Sequence, residues 1–152
     1  VKKDDCQQVV PRPPAAQSGG TMGAVVKPEG WPQPRGYAHG VVATGRVLAI
    51  AGQLGAGADG RLASREFPDQ FAAAVDNVLA VVNAAGGSPQ DIIAMTVFVV
   101  DMAQYKASRA AIGAEWRRRL GKYFPAMSVV AVNGLVDEGA LVEIQALAVL
   151  PP

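Results

Sequence analysis

The stretch Ile92-Ile93-Ala94-Met95-Thr96-Val97-Phe98-Val99-Val100, followed at once by Asp101, decides the fold. A nearly continuous apolar run with several β-branched residues predicts a central strand covered on both faces. Upstream, Phe71, Ala74, Val75, Val78, Leu79 and Val82 recur at helical spacing and form one apolar stripe. Pro68 suits the first turn of that helix and Gly86-Gly87 its end, so the spacing predicts a helix over 68–85. Downstream, Asp101 can cap a second helix on which Tyr105, Ile112, Trp116 and Leu120 share a face, and Gly121 stops it. Two further strands, at about 127–133 and 141–149, flank a turn at Asp137-Glu138-Gly139. Before the first helix, His39–Thr44 and Val47–Gln53 are β-rich runs joined around Gly45, which predicts a tight hairpin.

The order is therefore β-β-α-β-α-β-β. An α+β domain satisfies it, with two helices packed on one face of a single mixed sheet. The last strand tests this arrangement. Val142, Ile144, Ala146 and Ala148 point one way, while Leu141, Glu143, Gln145 and Leu147 point the other. Both faces carry apolar side chains, yet two helices cover only one. An oligomer that buries the second face is the economical expectation.

Composition limits the alternatives. The chain has 152 residues, half of them apolar, with a formal net charge of +1. This fits one globular domain and argues against disorder or general nucleic-acid binding. The basic run Arg117-Arg118-Arg119 fans out around a helix and reads as a solvated surface. A single cysteine, Cys6, excludes an internal disulfide, and with one histidine, His39, it cannot build a cysteine/histidine zinc site. No apolar run is long enough to span a membrane, and the first residues lack a signal peptide's apolar core. A reducing cytoplasm is the expected setting.

Residues 1–35 differ from the remainder, with Pro11-Arg12-Pro13-Pro14, Ser18-Gly19-Gly20 and Lys27-Pro28-Glu29-Gly30-Trp31-Pro32-Gln33-Pro34. They read as a mobile tail leading into an ordered approach segment, with the domain proper over 36–150. Met22 offers an alternative start, which would make the first 21 residues an extension.

Few motifs carry chemistry. Gly55-Ala56-Gly57-Ala58-Asp59-Gly60 matches a dinucleotide-binding pattern by letter, but its last glycine does not open a helix. No phosphate-loop lysine follows, and no serine sits in a nucleophile elbow. His39 reads mainly as a polar strand-end residue and, two positions after Tyr37, secondarily as a cleft-lining group. Glu143 is more informative, because it interrupts an apolar strand. A buried carboxylate must be paired, hydrogen-bonded or protonated. A raised pKa would suit it to proton transfer at neutral pH. A structural ion pair across a subunit interface is the equal alternative.

From Gly36 to Val149 the chain resembles the RidA/YjgF family of enamine and imine deaminases. The resemblance is carried by Tyr37, Ala51-Gly52-Gln53, Gln70, Asp76-Asn77-Val78 and Ala84-Ala85-Gly86. It continues through Thr96-Val97-Phe98-Val99 with Asp101-Met102, Pro125-Ala126-Met127-Ser128 and Val142-Glu143-Ile144. It implies a chorismate-mutase-like fold, a homotrimer with ligand clefts between subunits, and hydrolysis of reactive imino or enamino acids without metal or organic cofactor. It also implies catalytic roles for Glu143 and Tyr37 and substrate contacts at Gly52, Ala51, Met127 and Arg109. Three positions depart from the family pattern. Met127 stands where deaminating members carry an arginine that grips the substrate carboxylate, Ala51 replaces a serine, and Arg109 replaces an asparagine. Losing a charge-assisted pair costs about 1.5–3 kcal/mol, or roughly ten- to a hundredfold in anchoring. The expected substrate therefore differs from 2-iminobutyrate. The sequence leaves open an enzyme with Glu143 handling protons or a non-catalytic trimer holding a small metabolite. A ribonuclease is disfavoured, because the chain lacks a basic stripe with interleaved aromatics.

Overall fold

The apolar run does form the central strand. In the computed structural model, which describes residues 23–152, it spans Ile92–Val99. The elements are β1 (Ala24–Val26), β2 (Gly40–Val42), β3 (Arg46–Leu54), α1 (Phe67–Ala84), a 3₁₀ turn (Pro89–Asp91) and β4 (Ile92–Val99). They continue with α2 (Met102–Ala107), α3 (Arg109–Leu120), β5 (Ala126–Ala131) and β6 (Val142–Leu150). The expected tail, with Cys6 and Met22, falls mostly outside the described residues, while the approach segment contributes β1.

The main sheet has the order β3-β6-β4-β5. β6 runs antiparallel to both neighbours and β4 runs parallel to β5, as their helical crossover requires. This is the expected mixed sheet, except that β1 and β2 form a separate two-stranded ribbon. The predicted hairpin around Gly45 does not form. β2 pairs with β1, and β3 pairs with β6. Gly45 explains part of this, because its backbone lies against the Leu150 carbonyl, where any Cβ would overlap. The chain therefore crosses the end of β6 at Gly45 and does not reverse there.

The sheet's inner face carries the core. Val97 and Val99 of β4 and Val142, Ile144 and Ala148 of β6 are wholly buried against Phe71, Val75, Val78 and Val82 of α1. Each such valine, isoleucine or phenylalanine side chain stabilises the fold by about 1.5–3 kcal/mol. Pro68 lies in the first turn of α1 as predicted, and Gly86 follows its end at φ +82°. Asp101 caps α2 by accepting from the Ala103 and Gln104 amides at 2.7 and 3.1 Å. The second helix is not continuous, however. It breaks at Ser108 into α2 and α3, with Ile112, Trp116 and Leu120 buried on the second piece.

Two amides fix the loop after β3. Buried Gln70 donates to the Ser64 and Gly139 carbonyls at 2.9 Å and accepts from the Leu141 amide at 2.8 Å. Asn77 donates to the Leu54 and Ala56 carbonyls, both at 2.8 Å. The glycine-rich segment is thus a tied loop ending before α1. It does not form a phosphate cradle. The basic run is a helix surface, on which Arg119 joins Asp76 of α1 and Glu115 of its own helix.

Candidate functional site

Glu143 lies on the sheet face away from the helices, where its strand partners are Leu54 of β3 and Phe98 of β4. Between the pairs Ile50↔Ala146 and Gln53↔Ile144, two residues of β3 oppose one of β6. Ala51 and Gly52 occupy this bulge, a device that re-aims backbone beside functional groups. A Cβ on Gly52 would collide with the Glu143 carboxylate, so only glycine leaves that group its place. The sequence suggested a buried acid; the single chain leaves it half-buried. Among the described residues no cation or hydrogen-bond donor holds it.

Tyr37 sits at the opposite edge of the sheet. The Ala38 amide donates to the Pro125 carbonyl at 2.9 Å, and Ala38 bridges to Ala126, which pins the approach segment to β5. The Tyr37 ring stands edge-on to His39 at 5.3 Å, and His39 meets Trp31 edge-on at 5.0 Å. Tyr37 and His39 border a shallow depression of about 340 Å³ over Ala94, Thr96, Ala126 and Ser128. His39 thus precedes β2 directly and also borders this depression, the two places the sequence allowed it.

Met127 and Arg109 come together elsewhere. Met127 pairs with Met95 and projects toward the helices, into a second cavity of about 340 Å³. Buried Phe71, Val97, Ile112 and Trp116 form its inner end, while exposed Arg35 and Arg109 stand at its mouth. Tyr105 also lines it; burial pushes this phenol's pKa up, and the Arg109 charge opposes that shift.

One protomer thus carries two groups that it does not join. Ala51, Gly52 and Glu143 lie on β3 and β6. Tyr37 lies beside β5, while Met127 of β5 and Arg109 of α3 line the cavity on the helix side of the sheet. The family resemblance assigned them to clefts formed between subunits, not to a cleft within one. The sequence did not mark Arg35 or Tyr105: Arg35 falls in a proline-rich stretch without periodicity, and Tyr105 reads as core. Among the described residues no cluster of histidine, cysteine or carboxylate side chains could hold a metal ion. No described helix is long and apolar enough to cross a membrane.

Residues 32–150 match the family model described as Endoribonuclease L-PSP. A RutC family protein of Pyrococcus horikoshii, PH0854, is 32% identical over 128 residues, covering 84% of this chain and 98% of that protein. The chain belongs to the Rid (RidA/YjgF) family. Among solved Rid-type structures, the conserved Rid-family protein YyfB from Yersinia pestis superposes with a TM-score of 0.75. It is 31% identical, over 85% of this chain and 99% of that one. E. coli TdcF, solved with bound serine, is 30% identical over 83% of this chain and 98% of its own, with a TM-score of 0.60. The α+β architecture is accordingly the chorismate-mutase-like fold of Rid proteins.

Proposed function

We propose that this Rid-family chain hydrolyses a reactive enamine- or imine-type metabolite in the cytoplasm, at a site shared between copies in a homotrimer. The observation carrying this reading is the Glu143 carboxylate, unpaired among the described residues and held over Gly52 on a sheet face that no described helix covers. A carboxylate without a partner is free to accept a proton from water. The activated water adds to the C=N carbon. The proton then passes to nitrogen, and the carbinolamine collapses to a carbonyl compound and ammonia. A Gly52 backbone group polarises the substrate, and Tyr37 of a neighbouring copy closes the cleft and donates a hydrogen bond. The residues at β5 and those at β3–β6 meet only when two protomers are juxtaposed, and the bare apolar face supplies the reason to assemble. No step requires a metal or organic cofactor.

Met127 presents a thioether where a guanidinium would grip a small imino acid, so 2-iminobutyrate is a poor substrate and a bulkier imine a better one. The test is hydrolysis of freshly generated imines by the wild type and Glu143→Gln. The wild type should prefer the larger imine, and the variant should lose about 10²- to 10⁴-fold in rate while still binding ligand. Imine decay no faster than in buffer would leave the second reading, a trimer that binds a small metabolite without turning it over. The serine held by TdcF gives that alternative its basis. A ribonuclease role finds less support: the one imidazole, His39, is packed between Trp31 and Tyr37.

A further inference from the structure

We infer that the cavity beneath β5 takes a carboxylic acid with an apolar, flat body, apolar end inward, its carboxylate held at the mouth by Arg35 and Arg109. The cavity has the polarity of a sleeve. Its inner end is hydrocarbon from Phe71, Val97 and Ile112, joined by the Met127 thioether. Trp116 adds a ring whose N–H is already committed to the Tyr123 carbonyl at 2.9 Å, so it offers a ligand no donor. Phe124 stacks on Trp116 at 5.4 Å with the planes 1° apart, giving one wall a flat aromatic surface. A planar apolar group is the complement of such a wall.

The mouth is the opposite. Among the described residues no acidic side chain lines the cavity, and neither Arg35 nor Arg109 has a carboxylate partner. The Arg109 Nε reaches only the Lys106 carbonyl, at 3.4 Å, which leaves its terminal nitrogens for an anion. Two guanidinium forks beside an apolar sleeve match a planar carboxylate bidentately. The Tyr105 hydroxyl, neutral at physiological pH like any ordinary phenol, adds a donor among the lining groups. The volume of about 340 Å³ is at the small end of the range for small-molecule sites, so the body is about one ring and a short chain. A guanidinium on β5 would draw a carboxylate to the inner end; this arrangement reverses the ligand. That the molecule is a substrate rests on the proposed hydrolysis of an imine to a carbonyl compound. Its binding does not.

The test is calorimetric titration of the whole protein with 3-phenylpropionate, with 3-phenylpropan-1-ol (same body, no charge) and with propionate (same charge, no body). The first should bind at least about tenfold more tightly than either of the others. Arg35→Gln and Arg109→Gln should each weaken it about tenfold and leave the alcohol unaffected, while Arg117→Gln, outside the cavity, should change nothing. Equal affinity for acid and alcohol, tighter binding of phenyl phosphate, or indifference to both arginine variants would overturn the inference. Glu143→Gln should retain 3-phenylpropionate. Retained binding without any imine turnover counts against hydrolysis alone, and imine turnover without binding counts against this cavity alone.

Discussion

The two faces of the sheet are made by the same strands and meet opposite fates. On the inner face Ile144 and Val97 are 0% exposed beneath α1 and α3, whereas on the outer face Val47 is 73% and Leu147 42% exposed. Alternation gives β6 apolar side chains on both sides, yet the described helices cover only one. The inner face is therefore covered within a protomer, and the outer face is the one proposed to meet a second copy. The difference separates what holds the fold from the group proposed to handle protons, since Glu143 lies on the outer face.

That separation can be broken by substitution. Phe71→Ala on the inner side should cost about 3–5 kcal/mol of unfolding free energy, read by urea denaturation. Leu147→Asp on the outer side should leave the far-ultraviolet circular dichroism of the protomer intact. It should nonetheless dissociate the assembly in gel filtration, because it introduces an unpaired charge into the interface. If Leu147→Asp instead unfolded the chain and left assembly untouched, the two faces would not differ in the way described.

How far the sequence disclosed this depended on the range of the interactions involved. α1 was legible almost to the residue, because Pro68 and Gly86 are local signals at its ends. The bare face was legible from the period of β6 alone. The pairing of β2 and β3 was not, since Gly45 contacts Leu150 across the length of the domain and no local feature announces that. The site divides similarly. Gly52 and Glu143 were found through short motifs, and the structure puts them in contact. Their separation from Met127 and Arg109 depends on strand order, and Arg35 reaches its cavity from a segment without periodicity.

A smaller effect sharpens the same contrast at the inner face. The Tyr123 hydroxyl donates to the Ile92 carbonyl at 2.5 Å, and burial, with Asp91 assisting, pushes its pKa above its ordinary value of 10.0. A phenol raised by folding contributes stability that is full below about pH 10 and is lost as pH climbs through the folded value. The wild type should therefore lose stability above pH 10 more steeply than Tyr123→Phe, although Tyr105 still contributes in both. Thermal melts across pH 8–11 would show this, and identical slopes would remove Tyr123 from the account.

Sedimentation equilibrium of the intact protein tests the shared site most directly. The account predicts a single species of about three 15.7 kDa chains, stable on dilution to micromolar concentration. A protein that sediments as one chain under those conditions would leave Glu143 facing water with nothing opposite it, and the proposed site would not exist.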